Sequence, residues 1–359
     1  MRQTIRTVRT ASWCKQSLTT CGDIRRERSD ITKAREMIAR MGFASVENAM
    51  SMVGNGTNFD IAPRDFKVAE SIWGRDLYSM KGKTTRMTSP VADITVGPTV
   101  VQQQQVMCID IMFIEQLPFL VADVSPLGLT LVKSLSTVDK RRLGRTAEAV
   151  GAGIKYFLGV LNTQRFVVRV IMSDGEGAVS KLQQELNHMG VEVDISGAGG
   201  HVPRVERRIR VIKERVRATM HSLPYTLSTL GVIMCVLYCV SRLNYEPSGI
   251  RQSGISPREA FLGRKIDGKR DFRCAYGDYA QCTVPMTNNS MVARTDDCVV
   301  MMPTGNRTGS VKVLSLSTGR IVNRDQLRVL PMPESLIAQL NALAKQDGRL
   351  SVKKGGHRY

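Results

Sequence analysis

The stretch HVPRVERRIRVIKERVRATMH, from His201 to His221, is the one from which the rest of the chain can be placed. At about 3.6 residues per turn, Val205, Ile209, Ile212, Val216 and Met220 form an apolar face, and Glu206, Arg210, Lys213 and Arg217 form a charged face beside it. Pro203 is suited to a first helical turn, so Glu206 stands near the helix N-terminus, where the macrodipole favours an acid. One carboxylate thus heads a row of cations, and the spacing of the cations suits a phosphate backbone. A solvated amphipathic helix with Glu to Arg pairs would show the same pattern. The choice between the two depends on what lies around the helix.

The whole chain favours a polyanionic partner. Its 359 residues leave room for more than one domain, and 51 Lys and Arg against 32 Asp and Glu give a formal charge of +19. Aromatic residues are only 5% of the chain, so phosphate contact is a better candidate than base stacking. The eight cysteines include no Cys-x-x-Cys pair, and the four histidines make no zinc spacing with them. Cys235 and Cys239 read as core thiols, and the cysteine usage suggests a reducing compartment with no structural metal. The uncharged run Ser222 to Ser241 reads as a buried helix, because its strongly apolar part, Leu230 to Val240, is too short for a bilayer.

Strand and helix signals alternate before and after the quoted stretch. A basic arm over 1–28 precedes a small helical module over 29–80, with helices at 31–41, capped by Asp30 or Ser29, at 45–53 and at 63–72. A Pro-interrupted, Gln-ended linker over 81–105 leads into the densest pattern, 106–263. There, strands at 107–114, 118–124 and 129–135 are followed by a helix at 146–161, a strand at 166–172, a helix at 178–189, a strand at 191–195, the charged helix and the apolar one. This order describes a mixed five-stranded α/β sheet with helices on its faces, the order of the ribonuclease H-like fold. Short strands then predict a small β module over 264–333, and a helix with a basic tail fills 334–359.

Three acids stand out against this layout. Asp110 interrupts the apolar first strand, where a carboxylate needs a partner; Asp174 ends the fourth strand; Glu206 opens the charged helix. If the first and fourth strands are neighbours with the helix close to both, the acids converge and repel one another unless divalent cations fill the space. Hard oxygen ligands suit Mg²⁺ or Mn²⁺, and two such ions support in-line phosphoryl transfer. Asp123 competes with Asp110 for the first place, although its position before a turn is more ordinary, and Glu176 and Asp194 read as solvated.

These residues resemble the catalytic core of retroelement integrases, most closely the copia type. The likeness rests on the strand-borne Asp110, the SDGEG containing Asp174, and PRVERRIRVIKE containing Glu206 and Lys213. The segments from Val236 (VLYCVSRLNYEPSGIRQSGISPREAFLGRK) and Val292 (VARTDDCVVMMPTGNRTGSVKVLSLSTGRIVNRD) resemble the stretches that come after that core in the family. The resemblance implies a retrotransposon integrase, a polynucleotidyl transferase that joins element-end 3′-hydroxyls to target DNA. Asp110, Asp174 and Glu206 would hold two Mg²⁺ or Mn²⁺ ions, while Lys213, with Arg207, Arg210 and Arg217, would grip duplex DNA.

It further implies a homo-oligomer at work in the nucleus, with a cytoplasmic particle stage, no membrane partner, and an origin within a Pol polyprotein. The chain departs from the family at three places. Gly175 and Glu176 replace the usual Asn-Gly, Glu206 follows Asp174 by 32 positions, and the segment in place of the zinc-binding module has no His or Cys, so no zinc is expected. The altered second motif motivates a competing reading, a catalytically silent integrase-derived DNA-binding protein. A ribonuclease H-like nuclease shares the same acids.

Overall fold

A computed structural model describes residues 21–73, 76, 104–135, 146–174, 177–195, 203–247, 254–283, 295–306 and 308–348. Most of the basic arm, the linker up to 103, the tail beyond 348, and His201, Gly175 and Glu176 lie outside these residues.

The central sheet contains β1 (Gln104–Ile114), β2 (Leu117–Ser125), β3 (Leu129–Ser134), β4 (Val167–Ser173) and β5 (Glu192–Ile195), in the spatial order β3-β2-β1-β4-β5. β2 runs antiparallel to β1 and β3, whereas β4 runs parallel to β1 and β5. That order, with a single reversed strand and helices on both faces, is the ribonuclease H-like arrangement. β1 and β2 are joined by a two-residue turn at Glu115 and Gln116, whose φ values of 49° and 64° are those of a hairpin turn matched to the strand twist.

Strand alternation divides the core between the two faces. On one face Met107, Ile109, Leu120 and Val124 pack with Val150, Ile154 and Phe157 of helix α4 (Ala147–Asn162), which Thr146 caps. On the other, Cys108, Met112, Phe119 and Val121 pack with Val205, Ile209, Ile212 and Val216 of the charged helix, α7 (Pro203–Ser222), and with helix α8 (Thr229–Leu243). Cys235 and Cys239 are core thiols of α8. No described helix is long and apolar enough to cross a membrane.

The N-terminal helices α1 (Cys21–Arg40), α2 (Val46–Asn55) and α3 (Pro63–Trp73) form a small cluster around Met41, Met52 and Phe66. Ala218, Tyr245, Ile266 and Phe272 of the α/β core complete that cluster, so the module buries its apolar side against the rest of the chain. Arg242, fully buried, lies between them. Its guanidinium stands 4.9 to 5.5 Å from the rings of Tyr238, Phe272 and Tyr245 and donates to the Asp271 carbonyl at 2.7 Å. Gly42, at φ 69°, lets the chain turn closely over this arginine: a Cβ there would lie 3.0 Å from the Arg242 Cβ.

Two helices differ from the sequence expectation. Ser29 and Asp30 lie inside α1 and do not cap it; Asp30 pairs instead with Lys33 at 3.0 Å within the helix. The single helix expected over 178–189 is broken into α5 (Gly177–Ser180) and α6 (Gln183–His188). The break places Leu182 against Gly151 of α4, where a Cβ would come within 3.0 Å of it. β1 and β2 extend beyond their expected bounds, with β1 taking in Gln104 and Gln105 of the expected linker, whereas β3 and β5 are each one residue shorter.

After the short helices α9 (Pro257–Leu262) and α10 (Gly268–Asp271), a second sheet is wholly antiparallel. It comprises β6 (Tyr279–Thr283), β7 (Thr295–Pro303), β8 (Val311–Ser315), β9 (Ile321–Arg324) and β10 (Leu327–Val329), ordered β10-β6-β7-β8-β9. Helix α11 (Glu334–Gln346) returns to the core, where Asn341 accepts the Thr226 amide and Asp347 accepts the Thr229 amide, each at 2.8 Å.

The outer edge of β3 is closed by one side chain. Buried Asn244, at the end of α8, accepts the Thr130 N–H and donates to the Thr130 carbonyl, both at 2.8 Å. Asn244→Ala leaves both backbone groups without a partner, and urea unfolding is expected to show a loss of about 2–4 kcal/mol. A variant as stable as the parent would show that water replaces the amide without cost.

Candidate active site

Asp110 lies just past the middle of β1, one position beyond the last residue paired with β4, on the face covered by α7. The parallel register pairs Cys108 with Met172 and Ile109 with Ser173, so Asp174, which follows Ser173, comes level with Asp110 on the neighbouring strand. The period of two puts Asp110 on the side of Cys108 and Met112, and Asp174 on the side of Met172, all of which belong to or pack against the α7 face. Two of the three expected acids are therefore neighbours because the strands that carry them are neighbours.

Helix α7 brings in the third from above. It packs mainly on β1 and β2, and Asp123 anchors it on the β2 side. This carboxylate, at 0% exposure, points from β2 to the α7 face. It accepts a hydrogen bond from the Arg204 guanidinium at one oxygen and from Arg208 Nε at the other, the latter at 3.1 Å. Arg204 also donates to Ser125 Oγ at 2.6 Å. Asp123 is thus the counter-ion that seats the first turns of α7, and it is not a competitor of Asp110. Its position two residues before the end of an apolar strand, opposite arginines spaced four apart, was the signal available in the sequence.

The clamp also fixes the rotation of the helix. At about 100° per residue, Glu206 and Lys213 lie roughly opposite Arg204 and Arg208 around the helix, with the apolar stripe between the two flanks. Holding the arginines on β2 turns Glu206 and Lys213 toward the side of β1 that faces β4. Both reach the field of Asp110. Burial pushes the Asp110 carboxyl above its ordinary value, the charge of Asp174 and then of Glu206 adds to the rise, and the Ile111 amide at 2.6 Å and Lys213 oppose it.

The remaining predicted cations occupy the outer flank. Arg207 and Arg210 are exposed, with Arg207 Nε donating to the Pro203 carbonyl at 3.2 Å and Arg210 lying 4.0 Å from Glu214. Arg217 is exposed on the same side, and Lys213 is half-buried. Arg215 takes no part in this flank; it is buried and paired with Glu246. Asp194 is exposed, as its solvated reading implied.

The fit to a divalent cation can be judged from the donors. Asp174 Oδ1 is buried and, among the described residues, has no hydrogen-bond partner. Beside it stands a second desolvated carboxyl. An orphaned buried oxygen next to a repelled carboxylate is what a hard cation would satisfy. Among the described residues, however, no three His, Cys, Asp or Glu side chains are close enough to enclose an ion. Asp110 and Asp174 fit as ligands, and Glu206 shares their field without closing a three-acid cage.

Comparisons with known proteins add little to this geometry. No protein-family model matches the chain, and no curated protein does. Among solved structures, it is similar to the crystal structure of the catalytic core domain of BIV integrase, with 18% identity, coverage of 44% of this chain and 93% of that one, and a TM-score of 0.34. At that level the likeness carries no functional weight, and the fold stands on the strand order and register.

Two expectations arise from the site. Asp123→Asn strips both arginines of their counter-ion, so stability falls by about 2–3 kcal/mol in denaturant titrations, with faster amide exchange concentrated over 204–209. Uniform exchange across α7 would count against the clamp. Asp110→Asn is expected to melt higher than the parent at neutral pH without divalent ions, since it removes a charge that the fold disfavours. A carboxyl raised in the folded state contributes full stability below its unfolded value and loses it as pH rises through the folded one, so the two melting curves converge in acid.

Proposed function

We propose that this chain is a retrotransposon integrase of the copia type, catalysing divalent-metal-dependent DNA strand transfer. The observation that supports it most is the placing of Asp110 and Asp174 directly after the last paired residues of two adjacent parallel strands, with Glu206 and Lys213 turned into the same field by α7. In this reading Asp110, Asp174 and Glu206 hold two Mg²⁺ or Mn²⁺ ions, Glu206 by a small approach of the α7 N-terminus when ions and DNA bind. Bound there, the ions would activate the attacking 3′-hydroxyl oxygen and stabilise the leaving one. The chain's own residues do the rest. Lys213 offsets the acids and meets a phosphate beside them, and Arg207, Arg210 and Arg217 track the duplex backbone along the exposed flank. The same reading makes the protein a nuclear homo-oligomer that engages element ends and target DNA.

A catalytically silent DNA-binding descendant is the second reading, and the open three-acid arrangement favours it. Strand transfer of a labelled element-end duplex with Mg²⁺ or Mn²⁺ separates the two. Under the enzyme reading, Asp110→Asn, Asp174→Asn and Glu206→Gln each reduce joining to background, and Lys213→Gln lowers it about tenfold, the loss of one charge-assisted phosphate contact. Salt-sensitive duplex binding without joining under either ion would leave the silent reading standing.

A further inference from the structure

Away from the acids, a second group of charges lies where the β module meets the α/β core. Arg258 on α9 and Arg264 just beyond it are both half-buried, and both reach the loop between β7 and β8 at Gly305. Arg264 donates to the Gly305 carbonyl, and the Arg258 guanidinium lies so close to Gly305 that any Cβ there would strike it. Arg258 is held from behind by the Tyr245 ring, its Cζ 4.8 Å from the centroid. Among the described residues neither arginine has a carboxylate in an ion pair.

The nearest acid is already committed: Asp271 receives Arg270 at both oxygens, at 3.1 and 2.8 Å. Two guanidinium groups therefore crowd Gly305, a residue with no side chain, and the acid whose charge reaches Arg264, Asp271, is the one already bonded to Arg270. Burial and then the like charge of Arg270 push Arg264 below its ordinary value, Asp271 opposes the fall, and Arg258 adds to it.

We propose that Arg258 and Arg264, meeting at the side-chain-free Gly305, form a binding site for a phosphate-type oxyanion at the seam between core and β module. Guanidinium forks match the paired oxygens of a phosphate group, and a stacked, half-buried arginine is already ordered for the contact. The oxyanion is either the backbone phosphate of a nucleic acid or a free phosphate. The site is independent of the acids on β1 and β4, and it does not require the chain to be an enzyme.

The test uses the full chain, the double variant Arg258→Gln/Arg264→Gln, and a control, Arg320→Gln/Arg328→Gln, which loses the same charge from exposed positions on the β module. Fluorescence anisotropy with a labelled duplex across a salt series, and thermal shift with pyrophosphate, are read on each. If the site takes a backbone phosphate, the seam variant loses about tenfold in duplex affinity relative to the control, and its salt slope falls by about one to two units. If it takes a free phosphate, pyrophosphate raises the melting temperature of the parent and the control but not of the seam variant.

A seam variant that matches the control in both assays overturns the proposal. Should the seam variant fail to fold, Arg258→Lys/Arg264→Lys keeps the charge and removes the forks. It is then expected to lose duplex affinity, or the pyrophosphate shift, with the salt slope unchanged, and parent-like behaviour from it overturns the proposal equally.

Discussion

The site depends on a buried carboxylate that takes no direct part in it. Asp123 has no exposure to solvent, and its two oxygens are taken by Arg204 and Arg208. Leaving either charge alone in that environment would be costly, so the pair determines how the first turns of α7 meet the sheet. The apolar stripe Val205, Ile209, Ile212 and Val216 says which side of the helix faces inward. It leaves sliding and rotation loosely set, because hydrophobic contact is not directional. The directional bonds to Asp123 settle both, and they place Glu206 and Lys213 on the flank toward Asp110.

The same pattern holds elsewhere in the molecule, where polar contacts specify how apolar surfaces join. Asn244 ties the end of α8 to the edge of β3 through a single backbone residue. Arg242 joins three aromatic rings at the junction of the N-terminal helices, α8 and the segment near Phe272. Arg215 and Glu246 do the same beneath α7. Asn244, Arg242 and Arg215 are all buried, and each makes a bond to a residue at least 29 positions away in the sequence. The N-terminal helices illustrate the result: Tyr245, Ile266 and Phe272 complete a core that their own residues leave open.

The three candidate acids are held by devices of different stiffness. Asp110 and Asp174 each follow directly on the last residues of the β1–β4 pairing, Ile109 and Ser173, so strand pairing sets where both stand. Glu206 is positioned by a helix terminus anchored from the opposite flank, so small movements of that terminus change its distance from the other two. A cation would draw the three together, and the Asp174 oxygen without a partner marks where such an ion would find a ligand.

Much of this was legible in the chain because the signals are local. Alternating apolar residues gave the strands, Thr146 and Ser45 marked helix starts, and the Asp within MCIDIMFI stood out because a carboxylate in an apolar strand must be accounted for. The order of elements pointed to the ribonuclease H-like sheet, and the pairing of β1 with β4, strands that are not consecutive in the chain, was decided by the tertiary structure. Pairings between distant residues were decided only in three dimensions. Periodicity puts Arg204 and Arg208 beside the apolar stripe and Arg207 and Arg210 away from it, but nothing local names Asp123 as the partner of the first pair, and nothing near Arg258 and Arg264 announces Gly305. Periodicity comes from the backbone of one segment and can be read along it, whereas the partner of a charge depends on which segments the completed fold brings within a few ångströms.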